Sequence, residues 1–301
     1  ILVPPSRLSS FDKYNPFTLK GNVAPGLTGL VFESLLTGTM DEPTTAYGLL
    51  AEDVNVATDR RSVTFKLRPQ AHFNNGDAVM AEDVKYSFEQ LISKQAAPQF
   101  RTLYAEVAEV TVLDPRTVRF DFKRVNPELT LIVGGMPVFS RQWGSENGIP
   151  KPLDKIVTDT PIGSGPYKIG PVNFGKDITY VRDAGYWARD LNVRRGTGNF
   201  ERITVKIYKD NTARLEALKA GEFDLMRFFS AGDWARRVSG KRFDTGELVK
   251  VEFKHRVAKE MMVDSKVVKD MSVANAITTV VKDMSVANAI TKSANKFNLP
   301  L

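Results

Sequence analysis

The stretch from Ser62 to Leu91 constrains the fold more than any other part of the chain. In Ser62–Arg68, Val63, Phe65 and Leu67 alternate with Thr64, Lys66 and Arg68, the period of two that marks a strand with one buried face. Asn74-Asn75-Gly76-Asp77 follows as a turn signal, because glycine takes up positive φ and asparagine bonds the backbone two residues on. Ala81–Leu91 then places Val84, Phe88 and Leu91 on one helical face, with Glu82 and Asp83 in the first turn, where the helix dipole favours anions. A half-buried strand, a tight turn and an amphipathic helix in succession have two apolar faces to cover, which calls for layers of sheet and helix around a core.

The same periodicities recur along the chain. Thr117–Lys123 repeats the alternation with Val118, Phe120 and Phe122, and Ile203, Val205 and Ile207 do so before Tyr208. Asp177–Arg182 is a weaker strand carrying Ile178 and Tyr180, and Leu113-Asp114-Pro115 reads as a turn between two strands. Asn211 is placed to cap a helix that carries Leu215 and Leu218 and stops at Gly221. Strands and helices mixed without a regular βαβ beat define an α/β or α+β protein.

The end of the chain is different. VVKDMSVANAIT at Val267–Thr278 recurs unchanged at Val280–Thr291, a period of thirteen that is too short for a solenoid. On one continuous helix the second copy would be turned about 220° from the first. A break near Thr279 between two short packed helices avoids that, and a plain duplication of the segment is the other reading.

Composition removes several chemistries. The chain has no cysteine, which excludes disulfides, thiolate metal sites and thiol nucleophiles and fits an oxidising compartment. The formal charge of +7 is spread singly or in pairs such as Arg60-Arg61, Arg194-Arg195 and Arg236-Arg237 among acidic residues, so no nucleic-acid partner is expected. No apolar run reaches membrane-spanning length. With only His72 and His255, a His-based triad or a multi-imidazole metal centre has little to draw on. Gly163-Ser164-Gly165 superficially resembles an activated serine, but no base accompanies it, and a backbone turn is the plainer role. Glu82-Asp83 is explained by helix capping and Asp41-Glu42 by a loop before Pro43, so no catalytic or metal-binding residue and no cofactor is expected. Phe11, Tyr14, Phe17, Tyr47, Tyr104, Trp143, Tyr167, Trp187 and Trp234 lie outside the periodic runs, where aromatics either line a cleft or fasten loops to the core.

Tyr47–Leu91 also carries a longer pattern: Leu50-Ala51-Glu52, a strand ending Leu67-Arg68-Pro69, Phe73 before Asn75-Gly76, then Ala81-Glu82-Asp83-Val84 and a helix with Tyr86 and Phe88. This order resembles the extracellular solute-binding proteins of the oligopeptide, dipeptide and nickel type, family 5. Gln70 and Met80 depart from it, standing where an acidic residue and a capping threonine are usual. Phe11–Phe17 (FDKYNPF), Thr160–Tyr167 (TPIGSGPY), Tyr186-Trp187 and Leu215–Asp224 (LEALKAGEFD) follow in the family's order. Asp233-Trp234-Ala235 places the chain nearest the YejA-like peptide-binding branch. The resemblance runs from Ile1 to about Arg256, and Val257–Leu301 is not similar to the family's second lobe.

The resemblance implies an α/β lobe of the periplasmic-binding-protein type II kind, with a mixed β-sheet, flanking helices and an inserted α+β subdomain. The main lobe is expected at 1–40 and 160–256, the insert at 41–159, and an unclassified tail at 257–301. It further implies an extracytoplasmic, periplasmic or cell-surface receptor of an ABC importer, monomeric, which binds a peptide or peptide-like ligand and docks on membrane permease subunits. The ligand-binding residues implied are Phe11, Asn15 and Phe17 at one cleft edge, Phe228, Phe229 and Ser230 near the hinge, and Asp233 and Trp234 just after it. The rival readings are a binding module for a nickel chelate, sugar or opine, a one-lobe fragment without transport activity, and a carboxylate-dependent hydrolase.

Overall fold

A computed structural model describes residues 2–3, 10–38, 42, 45–228, 231–253 and 277–281. In chain order the first elements are β1 (Leu2–Val3), α1 (Leu27–Val31), β2 (Glu33–Ser34), β3 (Leu36–Gly38), β4 (Ala46–Gly48), β5 (Ala51–Val56), β6 (Ser62–Leu67) and α2 (Ala81–Ile92). Then come α3 (Pro98–Leu103), β7 (Val107–Asp114), β8 (Thr117–Phe122), α4 (Leu129–Gly134), β9 (Pro137–Val138), β10 (Tyr167–Asn173) and β11 (Asp177–Arg182). The last are β12 (Arg202–Lys206), α5 (Asn211–Ala220), β13 (Leu225–Phe228), α6 (Ala231–Arg236), α7 (Lys241–Asp244), β14 (Val249–Phe253) and β15 (Ile277–Val281). They fall into two compact units, Phe11–Phe174 with Ile178–Ile203, and Ile1–Ser10 with Gly175–Asp177 and Thr204–Leu301.

The first of these units contains an antiparallel sheet in the order β5-β6-β8-β7. The alternating residues do what their period dictates: Val63, Phe65, Leu67, Val118, Phe120 and Phe122 are all buried. Helix α2 turns Val84, Phe88 and Leu91 inward, and Phe88 meets Phe120 edge-on with ring centroids 6.0 Å apart. Edge strands β5 and β7 both carry register shifts, at Ala51/Asp53, Val107/Glu109 and Val112/Asp114, which discourage pairing with another chain.

Local signals from the sequence hold in detail. Gly76 takes φ 94° in the turn before α2, with Asp77 N bonded to Asn75 Oδ1 at 3.1 Å. Met80 offers no capping oxygen, but Asp83 reaches back to accept from Met80 N at 3.0 Å, which holds the start of α2. Asp83 also accepts from Arg141 N and Nε, each at 3.2 Å, and Ser87 Oγ accepts from Phe139 N at 3.0 Å. The pair at Glu82-Asp83 is therefore split, one exposed and one structural.

The second unit is built on a mixed sheet. β1 lies between β12 and β13 and is parallel to both, with Leu2 opposite Val205 and Leu225. The chain from β12 to β13 crosses over through α5, as parallel strands require. Asp210, not Asn211, caps α5, its Oδ1 accepting from Ala213 N at 2.8 Å, while Gly221 ends the helix at φ 82°. Leu215, Leu218, Phe223, Met226, Val238 and Leu248 make the core of this unit.

At the junction of the two copies, where a break between helices was expected near Thr279, the chain is extended. Residues 277–281 are strand β15, antiparallel to both β13 and β14, with Thr279 opposite Arg227 and Val251. The junction of the two copies reads Ile-Thr-Thr-Val-Val, five β-branched residues whose stiff side chains favour a strand over a helix. The rest of the repeat lies outside the described residues.

Gly163 and Gly165 allow a close backbone crossing where a turn was expected. A Cβ at Gly163 would stand 2.1 Å from Val31 O, and one at Gly165 would stand 2.6 Å from Leu30 O. Gly165 N donates to Val31 O at 2.9 Å across that contact. Gly163→Ala is expected to cost about 3 kcal/mol, because backbone must move to admit the methyl group. Gly29→Ala, on α1 with no atom within 4 Å of the added carbon, should be neutral or slightly stabilising. Urea unfolding midpoints of the two variants check the contrast.

Candidate functional site

Phe11–Phe17 begins the first unit as a loop held by its own polar groups. Asp12 Oδ1 accepts from Asn22 N at 2.7 Å, Tyr14 N donates to Val157 O at 2.8 Å, and Lys13 Nζ donates to Thr18 O at 2.7 Å. Burial lowers the Lys13 pKa, partly opposed by the neighbouring Asp12 carboxylate. Asn15 is fully buried; its Nδ2 donates to Leu153 O at 2.8 Å and Ile156 O at 2.9 Å, and its Oδ1 accepts from Phe17 N at 2.9 Å.

The aromatics of this loop are packed inside the same unit. The Phe17 ring stacks on Phe139 at 5.0 Å and meets Phe32 at 5.4 Å, Phe100 at 5.7 Å and Trp143 at 6.2 Å. Phe11 lies 5.6 Å from the half-exposed Phe174, which also meets Tyr14 at 5.3 Å. Trp143 Nε1 is satisfied by Asp159 O at 3.0 Å.

A second buried polar cluster was not legible as one in the sequence. Glu33, on β2, has a side chain only 1% exposed. Its Oε1 accepts from the Tyr186 hydroxyl and from Arg194 Nε at 3.3 Å. Burial pushes the carboxyl up to about 7, and Tyr186, Arg194 and Trp187 draw it back only in part. The Tyr186 hydroxyl is raised as well, first by burial and then by the Glu33 charge. Trp187 Nε1 donates to Ser164 O at 3.0 Å, so Gly163–Gly165 and Tyr186-Trp187 meet at this cluster. Neither Glu33 Oε2 nor Ser164 Oγ has a hydrogen-bond partner among the described residues.

The other expected binding residues lie in the second unit. Phe228 ends β13, Asp233 and Trp234 are on α6, and Phe229 and Ser230 lie outside the described residues. Trp234 packs against the core of this unit, with Lys250 Nζ 5.4 Å from its ring centroid. His255 and Asp41 also lie outside the described residues, and His72 has Nδ1 3.0 Å from Phe73 O. Among the described residues no three His, Asp or Glu side chains gather as a metal site, and no helix is long and apolar enough to cross a membrane.

A mixed α/β chain of this kind has the type II periplasmic-binding-protein fold, with the second lobe largely absent. NikA from Brucella suis, solved in complex with Fe(III)-EDTA, matches this fold with a TM-score of 0.65 at 24% identity, over 85% of this chain and 49% of that one. The chain belongs to the bacterial extracellular solute-binding proteins, family 5, whose model matches residues 45–292. That span takes in both copies of the repeated segment and so runs beyond Arg256, where the resemblance was expected to end. YejA of Escherichia coli (strain K12) is 34% identical over 91% of this chain and 45% of its own length. The "Probable peptide-binding protein YejA" of Agrobacterium fabrum (strain C58) is 36% identical over 76% of this chain and 38% of its own. The chain thus spans less than half the length of these relatives.

Asn15→Ala would leave Ile156 O and Phe17 N without partners and Leu153 O with only Ile156 N, and a loss of about 3 kcal/mol is expected. The measurement is again the denaturant midpoint, with an unchanged midpoint counting against the buried network.

Proposed function

We propose that the chain is the ligand-binding lobe of an extracytoplasmic ABC-importer receptor whose cargo is an oligopeptide or a peptide-like compound. The observation that carries this reading is the 36% identity to a relative named for peptide binding, within a family of solute-binding proteins. Peptide receptors of this kind hold an extended backbone by main-chain hydrogen bonds, which gives affinity without strict side-chain selection. The main lobe of the whole protein is residues 1–40 and 160–256 with 41–159 inserted, and it closes on a second lobe about a hinge before docking on membrane permease subunits. By family position, Phe11, Asn15 and Phe17 form one cleft edge for the ligand, and Phe228, Phe229, Ser230, Asp233 and Trp234, at and just after the hinge, contribute to its binding. The protein acts in the periplasm or at the cell surface as a monomer.

A non-peptide cargo is the second reading, favoured by the fold likeness to a receptor solved with Fe(III)-EDTA. Thermal unfolding of the purified chain separates the two. A ligand present at a hundred times its Kd adds about 2.7 kcal/mol to the folded state, which raises Tm by about 4 °C for a chain of this size. Such a rise with a mixed tri- to pentapeptide library, reduced at least tenfold in affinity by Trp234→Ala, is the expected result. A rise with metal chelates or opines alone moves the assignment to the second reading, and no rise with any of them overturns binding by this chain.

A further inference from the structure

Two Asn-Gly dipeptides stand at exposed turns of the first unit, Asn75-Gly76 and Asn147-Gly148. Asparagine before glycine is the dipeptide most prone to cyclise, because the following backbone nitrogen carries no Cβ to hinder its approach to the side-chain carbon. The reaction asks three things of a folded chain: a side-chain amide free to turn, a following N–H without an acceptor, and room for the ring that forms. Hydrogen bonding, not exposure, separates the two sites.

At Asn75 the reacting groups are all engaged. Its Nδ2 donates to Asp77 Oδ2 at 2.7 Å, its Oδ1 accepts from Asp77 N at 3.1 Å, and Gly76 N donates to Phe73 O at 2.9 Å. Asn147 and Gly148 are instead the central residues of a turn closed by Glu146 N to Ile149 O at 3.0 Å and Ile149 N to Glu146 O at 2.9 Å. Their φ angles of 51° and 79° are both positive, the type I′ pattern that favours Asn-Gly. Neither the Asn147 side-chain amide nor Gly148 N has a hydrogen-bond partner among the described residues. A Cβ at Gly148 would meet no atom within 4 Å, so the ring has room.

We propose that Asn147 is a site of spontaneous deamidation in the folded protein, and that the fold protects Asn75 although it has the same dipeptide. Gly148 N gives up its proton to solvent and attacks Asn147 Cγ. The N–Cγ bond forms, the Cγ–Nδ2 bond breaks, and Nδ2 leaves as ammonia, taking a proton from water. The succinimide then adds a water molecule: opening at Cγ leaves an aspartyl residue, and opening at the backbone carbonyl leaves an isoaspartyl one. Either product sets a new carboxylate beside Glu146, whose Oε1 holds Lys151 Nζ at 2.7 Å. In the isoaspartyl product the main chain runs through Cβ and Cγ, and the longer turn strains the paired Glu146–Ile149 bonds that close it.

The test follows both dipeptides by peptide mass spectrometry in the full chain, incubated in mildly alkaline buffer either folded or unfolded in guanidinium chloride, where local sequence alone sets each rate. Folding is expected to slow Asn75 by about tenfold or more, because its hydrogen bonds must open before it cyclises, and to slow Asn147 by no more than about twofold. Equal protection at the two sites overturns the proposal, and so does an Asn147 that deamidates only in denaturant. Asn147→Gly, which accepts the positive φ, should remove the acidic species that ion-exchange chromatography resolves from aged folded protein and leave the unfolding midpoint in place. Acidic species that build up in Asn147→Gly at the wild-type rate place the reaction elsewhere and overturn the assignment.

Discussion

The five residues Val31–Leu35 are the support on which the larger unit depends. Val31 O accepts from Gly165 N at 2.9 Å, Ser34 O from Leu50 N at 3.3 Å, and Leu35 O from both Leu49 N and Ala51 N, at 2.9 and 3.1 Å. β2 within this stretch pairs with β9, with Glu33 opposite Val138. Its side chains point into three different environments: Phe32 into the aromatic nest with Phe17, Phe139 and Trp143, Leu35 into the core, and Glu33 into the polar cluster. A short extended segment can bind so many distant parts of the chain because its carbonyls are free of any long ladder. Each must be satisfied from outside once it is buried.

That dependence explains which elements the sequence discloses. β6, β8 and α2 carry their burial pattern within their own residues, so Val63, Phe65, Leu67, Val84 and Phe88 could be read directly. α5 was legible in its Leu215 and Leu218 and its terminal Gly221, but two adjacent residues both suited to capping left the start ambiguous by one position. β2 has two residues and no period to detect, and nothing local marks Glu33 as buried. The signal was present only in pieces, as Tyr186-Trp187 and Gly163-Ser164-Gly165, which the fold brings to the same carboxylate. β15 failed for another reason: two copies were weighed as units, whereas the strand forms across their junction.

The loop aromatics show the limit of motif reading for sites. Phe11 and Phe17 lie beside polar and turn-forming residues, a setting that suits a cleft wall and a core anchor equally, because neither requires periodicity. The structure gives both rings partners within their own unit, and it gives Asn15 three hydrogen bonds to backbone. The family resemblance singles out this loop by its chain order and says nothing of how its side chains are spent.

Commitment of that kind limits where selectivity can reside. Asn15 has used both amide hydrogens and its oxygen, so turning toward a ligand would leave Ile156 O and Phe17 N bare and Leu153 O with only Ile156 N, at about 1–3 kcal/mol for each buried group left bare. A cargo contact would have to repay all of that before adding any affinity. On the proposed reading, residues fastened so firmly would serve recognition by holding a surface rigid, which lowers the ordering cost of binding. Discrimination among ligands then falls to side chains whose polar atoms are not already engaged in the framework. Glu33 is the exception inside it, since its second oxygen is buried without a hydrogen-bond partner among the described residues.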